Sequence, residues 1–238
     1  MNSRVMKRKK STLSEVKVAV IGAPGVGKTA LSVRFLTRRY IGEYDHKSDT
    51  RYKHEVLIDN DPILYEILDT CPKVSGFLLP KSFQALNSLR LLLSENEICQ
   101  DYNDFPTNET LNWADCLLLV YSICDRNSFS FLKKVGALIP DNDIPLYIVG
   151  NKNDMSHLRE VSVEEGAILA RSLECGFSEV AAAEQVAPVA VVFQEVCRAV
   201  LASRRKSKHS LLERMLGTRS SNLRVYARGK SDSALPKD

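Results

Sequence analysis

The chain has 238 residues, of which 44% are hydrophobic and 26% are charged, and its formal net charge is +4 at pH 7. This length and composition suit one domain of ordinary size with terminal extensions, and there are enough apolar residues for a hydrophobic core. The sequence has no run of 18 apolar residues, so we expect no membrane-spanning segment. The N-terminus lacks the apolar region of a secretory signal peptide.

The six cysteines are scattered along the chain and show no C-x-x-C spacing. Several lie inside apolar runs, so we interpret them as buried thiols in a reducing compartment rather than as disulfides or zinc ligands. The four histidines are isolated, which is typical of surface or capping residues. We therefore expect a cytoplasmic protein.

The charge is unevenly distributed. Residues 1–10 carry five basic and no acidic residues, and residues 198–238 carry eleven basic and three acidic ones, which leaves a net charge of −9 between them. An acidic domain with two basic extensions favours contact with an anionic surface, and extensions that are only solvated and disordered are the alternative. We assign residues 1–14 to a disordered basic arm and residues 205–238 to a basic tail.

The first predicted elements surround a glycine-rich segment. Residues 16–21 are apolar at alternate positions and then continuously, which predicts a buried strand. Residues 22–29 fit the pattern G-x-x-x-x-G-K-[ST] of a phosphate-binding loop, and residues 30–39 predict a helix with an apolar face. Strand, glycine turn and helix is the order that this motif requires, and a glycine turn without a ligand is the alternative.

The residue types of this loop suit an anion. Glycines allow a tight turn and a close approach to a ligand because they lack a Cβ atom, and consecutive N–H groups at a helix N-terminus attract negative charge. The lysine adds a full charge at the β- and γ-phosphates, and the threonine offers its hydroxyl to Mg²⁺. The predicted phosphate ligands are Gly22, Gly25, Val26, Gly27, Lys28, Thr29 and Ala30.

Strands and helices alternate along the rest of the chain. Residues 40–50 predict a loop, and residues 51–68 predict a hairpin that ends at Asp69. Residues 82–93 show a helical apolar face, and residues 94–112 read as a polar, acidic loop. The later segments are predicted in this order: a strand at 116–121, a helix at 128–139, a strand at 145–150, a helix at 163–173, a strand at 177–180 and a helix at 189–203.

This alternation indicates an α/β fold with a mainly parallel sheet. Ligands of such sheets bind beyond the carboxyl ends of the strands. The phosphate loop, Asp69 and residues 150–152 all follow predicted strands. We therefore expect these three segments to meet at one site.

A second motif, Asn151-Lys-Asn-Asp154, follows the strand at 145–150 and matches the N-K-x-D signature of guanine-nucleotide proteins. The Asp154 carboxylate accepts hydrogen bonds from guanine N1–H and from its 2-amino group, and adenine has no such pair of donors. The wrong base leaves a buried polar group unpaired, at a cost of about 1–3 kcal/mol. We expect Asn151 to tie loops together and the stem of Lys152 to lie over the base.

With both motifs in this order, residues 15–204 resemble the Ras-family small GTPases, and residues 35–44 are most similar to the Ras-related, estrogen-regulated growth-inhibitor branch. The resemblance implies a P-loop NTPase fold of the Ras-like G-domain type, with a six-stranded, mainly parallel sheet flanked by five helices. It implies a monomer that binds GTP or GDP with Mg²⁺ and acts in signal transduction through effector and regulatory proteins, which the sequence does not identify.

The same resemblance implies roles for three further positions. Tyr40 would lie near the base, and the amide of Ala182 would donate to guanine O6. Asp69 would hold Mg²⁺ through water, beside the hydroxyl of Thr29, so that Thr29 and Asp69 form the metal site.

The departures from the family pattern lie where the γ-phosphate would be sensed. Pro24 replaces a usual glycine, and Lys47 stands where the first switch loop carries a threonine. Pro72 and Lys73 replace the glycine and the glutamine of the second switch. Pro72 has no amide N–H, and a charged Lys73 at the catalytic position cannot accept a hydrogen bond from the attacking water. We therefore expect nucleotide binding with slow or absent hydrolysis. A pseudo-GTPase scaffold that no longer switches is the alternative.

Length and termini add three expectations. Asp69 and Asn151 are 82 positions apart, about twenty more than in a Ras-like core, so we predict an insertion near residues 76–112. The chain shows no prenylated cysteine box or myristoylation site, so we expect no lipid anchor. The basic stretch 204–208 and the apolar residues after it favour weak, salt-sensitive contact with an anionic membrane, calmodulin binding or a nuclear address, and a solvated end of the last helix is the alternative.

Two further function classes are disfavoured by the sequence. The N-K-x-D signature argues against a nucleotide kinase. The tails contain no cluster of stacking aromatic residues, so we expect no nucleic-acid binding.

Overall fold

The computed structural model describes residues 13–44, 48–71, 106–139 and 144–217. Within these residues it contains six strands, five α-helices and one 3-10 helix. In chain order the elements are β1 (Ser14–Ile21), α1 (Lys28–Thr37), β2 (Thr50–Ile58), β3 (Asp61–Asp69), α2 (Asn108–Trp113), β4 (Cys116–Ser122), α3 (Arg126–Leu138), β5 (Leu146–Asn151), the 3-10 helix (Asn153–Leu158), α4 (Val163–Ser172), β6 (Gly176–Glu179) and α5 (Val186–Gly217).

The six strands form one sheet in the order β2-β3-β1-β4-β5-β6. β2 runs antiparallel to β3, and all other neighbouring pairs are parallel. The register pairs Val20 of β1 with Asp69 of β3, and Ser122 of β4 with Asn151 of β5. The carboxyl ends of these strands therefore share one edge of the sheet. The predicted α/β fold with a six-stranded, mainly parallel sheet is confirmed.

The core follows from the apolar strands at the centre of the sheet. All seven residues of β4 are buried, and the last six residues of β1 include only one that is not. Such continuous burial is expected for parallel strands with helices on both faces. α3 packs against β4 and buries Phe129, Leu132 and Val135. This rigid centre fixes the positions of the loops that follow β1 and β5.

The last helix is longer than predicted at both ends. It starts at Val186, before Pro188, because proline is tolerated in the first turn of a helix. It is the one described helix with the length and hydropathy to cross a bilayer, but it buries an apolar face that includes Val192, Phe193 and Val196, as a core helix does. Residues up to Ser203 form one compact unit and those from Arg204 a second, in which the described residues continue as helix to Gly217.

Two sequence expectations need correction. Ser14 belongs to β1 rather than to the basic arm, because it pairs in register with Ile63. The end of the predicted loop at 94–112 is helical, since Thr107 caps α2 by accepting a hydrogen bond from the amide of Thr110 at 3.2 Å. Residues 1–12 of the arm, the predicted helix at 82–93, most of the insertion, and the tail beyond 217 lie outside the described residues.

Candidate nucleotide-binding site

The loop between β1 and α1 lies at the carboxyl edge of the sheet and turns where only glycine fits. Gly27 has a φ of +93°, and a Cβ atom there would overlap the side-chain nitrogen of Asn151. A Cβ atom on Gly22 would overlap the carbonyl oxygen of Val120. These two glycines let the loop pack directly on β4 and β5. Pro24 and Gly25 are exposed at its tip, and Val26 is buried beneath it.

The start of α1 combines a buried lysine with a helix N-terminus. Lys28 is buried, and its ammonium donates to the carbonyl oxygens of Gly22 at 2.7 Å and Ala23 at 3.1 Å. The N-cap residue is Gly27, which has no side chain to accept from the first amides, and the first turn contains no acidic residue. A helix N-terminus that begins after a glycine, with a lysine ammonium held at the same loop, suits the oxygens of a phosphate chain. Ala30 is buried at the end of this first turn.

A hydroxyl and a carboxylate lie together on the other side of the loop. The hydroxyl of Thr29 donates to the carboxylate of Asp69, and both side chains are buried. Thr70 holds the end of β3 in place by donating its hydroxyl to the carbonyl of Val20 at 2.8 Å. The hydroxyl of Thr29 and the carboxylate of Asp69 match the hard oxygen ligands that Mg²⁺ prefers. No group of three or more His, Cys, Asp or Glu residues suited to a metal occurs among the described residues, so phosphates and water would complete the coordination.

Asn151 joins the phosphate loop to a second loop after β6. Its side-chain nitrogen donates to the carbonyl of Val26 at 2.8 Å, and its side-chain oxygen accepts from the amide of Ala182 at 3.2 Å. Asn151 therefore ties the loops together. The amide expected to contact guanine O6 already has a partner in this structure, so guanine would have to share that amide with Asn151.

The remaining base-site residues lie just after β5. Lys152 adopts a left-handed backbone conformation with φ of +67°, and Asp154 lies exposed in the 3-10 helix. The amide of Asn153 donates to the carbonyl of Val180 at 3.1 Å, which brings this segment beside the loop containing Ala182. The structure thus brings the two sequence motifs to one edge of the sheet.

A partly buried ion pair fixes the two base loops relative to each other. Arg159 donates two hydrogen bonds of 2.7 Å to the carboxylate of Glu179, and a further one of 3.1 Å to the side-chain oxygen of Asn153. The hydrogen bond with Glu179 is the main reason why the pKa of Arg159 is raised. Because Glu179 ends β6 and Asn153 begins the 3-10 helix, the pair holds both segments.

Comparison with known families decides the class of this fold. The model of the Ras family matches residues 17–74 and 100–202. The chain belongs to the Ras family. Membership of the Ras family makes it a small GTP-binding signalling protein. The two matched stretches leave residues 75–99 without a counterpart in the family model.

The chain is similar to several named proteins, among them Ras-like and Ras-related ones. The Ras-like protein family member 11B of Danio rerio is 36% identical over 186 residues, covering 76% of this chain and 68% of the relative. The Ras-related and estrogen-regulated growth inhibitor of Bos taurus is 35% identical over 191 residues, covering 79% and 82%. The Ras-like protein family member 11A of Mus musculus is 35% identical over 191 residues, covering 79% and 71%. The predicted similarity to the growth inhibitor is therefore confirmed, and the chain is similar to the 11A and 11B members to the same degree.

The other predicted residues of this Ras-family chain are Tyr40 and those of the two switches. Tyr40 is 47% exposed on the segment after α1, with its ring edge-on to that of Tyr44 at 6.3 Å. Lys73, predicted at the catalytic position, lies outside the described residues, as do Lys47 and Pro72.

The sequence did not predict two of the functional candidates, Arg34 and Arg159. Arg34 is buried in α1 and contacts the loop that contains Ala182. The sequence feature that could have identified Arg34 is a charged residue three positions after Leu31, on the inward face of a helix. Arg159 has no comparable signal, because its partner Glu179 is distant in sequence and lies on another element.

Proposed function

We propose that this Ras-family chain binds GTP and GDP with Mg²⁺ at the edge of the sheet, and that it hydrolyses GTP slowly. The observation that carries the binding proposal is the position of Asn151. One buried amide group joins the phosphate loop through Val26 and the base loop through Ala182. The chain's own hydrogen bonds therefore hold both halves of the site together, which reduces the entropy lost on binding.

The residues divide the work of binding. Lys28 and the first amides of α1 would neutralise the phosphates, Thr29 and Asp69 would hold Mg²⁺, and Asp154 would select guanine. Mg²⁺, when bound, supplies positive charge that neutralises the phosphate oxygens. Asn151 would hold the loops of the site together, and the stem of Lys152 would lie over the base.

The proposal of slow hydrolysis rests on the sequence of the second switch. Pro72 lacks the amide N–H that a glycine would offer to the γ-phosphate, and Lys73 lacks the acceptor that would orient the attacking water. Pro24, at the exposed tip of the phosphate loop, removes another amide N–H from the same region. The binding residues, in contrast, are intact.

Replacing Asp154 with asparagine tests the binding proposal. The full chain should bind GDP but not ADP, and Asp154→Asn should weaken GDP binding about 10- to 100-fold, because the carboxylate–base hydrogen bonds are charge-assisted. The variant should gain affinity for xanthosine diphosphate, whose C2 carbonyl accepts from the new amide. Glu184→Gln, an exposed acidic residue beside the base loop, makes the same charge change and is the control. Equal binding of GDP and ADP by the unmodified chain would contradict the proposal.

A non-switching scaffold is the second candidate function. The observation in its favour is that the altered residues of both switches, Lys47, Pro72 and Lys73, all lie where the γ-phosphate would be sensed. Titration with GDP and with a non-hydrolysable GTP analogue separates the two. Equal affinities would support the scaffold, whereas a difference would support a switch.

We also propose that the chain is a cytoplasmic monomer that touches anionic membranes weakly. Support for the membrane contact comes from the basic residues at the start of the second compact unit. Arg205, Lys206 and Lys208 are exposed on α5, and Arg204 is half-buried.

A further inference from the structure

Arg34 is a buried arginine on the helix that begins at the phosphate loop. It lies two turns into α1 and is only 7% exposed. Its Nε atom donates to the carbonyl of Ala182 at 2.6 Å, and one terminal nitrogen donates to the carbonyl of Ala183. The other terminal nitrogen reaches the carbonyl of Arg38, at the end of the same helix, at 3.3 Å.

The partners of Arg34 define what the side chain can do. Within the described residues they are main-chain carbonyls, and no carboxylate pairs with the guanidinium. Burying a guanidinium costs several kcal/mol, which is offset only when its donors are well satisfied. Here the donors are satisfied by the backbone of one loop and the end of one helix. Both contacted residues of that loop are alanines. Their side chains therefore offer no polar group that could hold the loop in place of Arg34.

The contacts restrain the backbone around the expected base-reading amide. Two consecutive carbonyls, those of Ala182 and Ala183, are held by one planar guanidinium. The peptide planes on both sides of Ala183 therefore cannot rotate independently. Ala182 also donates its own amide to Asn151 at 3.2 Å, so the loop is fixed from two directions.

The same guanidinium faces the ring of Tyr40. Its carbon lies 5.6 Å from the ring centroid, within range of a cation–π interaction. Arg34 thus contacts both segments that flank the expected base position, from a helix whose first residues, Lys28 and Thr29, belong to the phosphate site.

We propose that Arg34 is a positioning residue for guanine recognition, which holds the Ala182–Ala183 backbone so that the Ala182 amide meets guanine O6. This inference rests on the proposed function. Through Arg34, the helix that carries the phosphate ligands also sets the geometry of base recognition.

The test measures nucleotide release from the full chain and from Arg34→Gln and Arg34→Lys. We expect Arg34→Gln to release GDP about tenfold faster, as the loss of hydrogen bonds by a charged donor predicts. The GDP release rate of Arg34→Lys should lie between those of the unmodified chain and Arg34→Gln, because one ammonium cannot reproduce the planar pair of contacts. Arg39→Gln, an exposed arginine after the same helix, is the matched control and should release GDP at the unmodified rate.

Two analogues distinguish a positioning role from a merely structural one. Inosine diphosphate keeps O6, so the effect of Arg34→Gln should be as large as with GDP. In 6-thioguanosine diphosphate a weakly accepting sulfur replaces O6, so the effect should shrink. Equal effects with all three nucleotides, or an unchanged release rate in both variants, would overturn the inference. Should Arg34→Gln fail to fold, Arg34→Lys supplies the same comparison.

The unmodified chain separates this inference from the proposed function. If it binds no GDP, both fail together. If it binds GDP with guanine selectivity while Arg34→Gln and Arg34→Lys release it normally, the inference alone fails.

Discussion

The hydroxyl of Tyr121 lies inside the core, where β4 approaches Gly150 and Gly166. It has no hydrogen-bond partner among the described residues. Burial, followed by the nearby Glu179 carboxylate, raises the pKa of this phenol, so the hydroxyl stays protonated. A buried hydroxyl without a partner destabilises the folded state. The ring of the same residue packs against the ring of Phe129, which offsets this loss of stability.

Tyr121→Phe should therefore stabilise the protein. Removing the unsatisfied hydroxyl recovers part of a desolvation penalty of about 1–3 kcal/mol, and urea unfolding should show a higher midpoint with an unchanged slope. Tyr65→Phe is the matched control, since the Tyr65 hydroxyl is equally buried but donates to the carbonyl of Phe193. That control should lower the midpoint. A loss of stability in Tyr121→Phe would contradict this account of the core.

Single residues differ in how far the sequence reveals them. Lys28, Thr29 and Asn151 are predictable because each belongs to a contiguous motif in which residue type and spacing carry the chemistry. Arg34 is harder to find because its partners are the carbonyls of Ala182 and Ala183, almost 150 positions away. A main-chain carbonyl is present in every residue type, so the sequence does not mark that contact.

At the scale of elements, one carboxylate joins α3 to α4. Glu165 completes a capping box with Ser162, whose amide donates to it at 2.9 Å, and it also pairs with the guanidinium of Arg126 at the start of α3. The hydrogen bond from Arg126, followed by that from the Ser162 amide, lowers the pKa of Glu165 to about 2. A folded-state pKa below the ordinary value means that the ionised carboxylate stabilises the fold.

Glu165→Gln should destabilise the protein in a pH-dependent way. The contribution of the carboxylate is complete above its ordinary pKa of 4.5 and is lost as the pH falls towards 2. The two side chains are 46% and 36% exposed, so screening limits the ion pair to about 0.5 kcal/mol at pH 7. Urea midpoints of variant and unmodified chain should converge between pH 5 and pH 2. Glu164→Gln is the control on the neighbouring residue, and a gap that stays constant with pH would refute the assignment.

The strands are predictable here, whereas two six-residue helical segments are not. The strands are found to within about two residues because central parallel strands are continuously apolar. α2 and the 3-10 helix have six residues each, too few for an apolar period to appear. The position of α2 depends on the capping residue Thr107, and that of the 3-10 helix depends on Lys152. The left-handed conformation of Lys152 cannot be predicted from the sequence.

At the scale of the molecule, the basic residues at the start of the second unit support weak membrane contact. Each Lys or Arg near an anionic surface contributes about 1 kcal/mol. Replacing Arg205 and Lys206 by glutamine should therefore lower binding of the full chain to phosphatidylserine vesicles roughly 30-fold. Replacing Arg38 and Arg39, an exposed basic pair elsewhere, removes the same charge and is the control.

Salt provides the second arm of the vesicle experiment. Binding should disappear at about 0.5 M salt because screening shortens the range of surface charges. Binding that survives high salt, or that falls equally in both double variants, would contradict a contact made by this part of α5.

We propose that this chain combines a complete nucleotide site with an impaired catalytic position. The most direct test is single-turnover hydrolysis of GTP by the full chain with Mg²⁺ and no partner protein, compared with the double variant Pro72→Gly, Lys73→Gln. We expect the unmodified chain to retain GTP and to hydrolyse it at least tenfold more slowly than the intrinsic Ras rate of about 4 × 10⁻⁴ s⁻¹. The double variant should be faster, because it restores an amide donor and an acceptor for water. Hydrolysis by the unmodified chain at the Ras rate would contradict the claim.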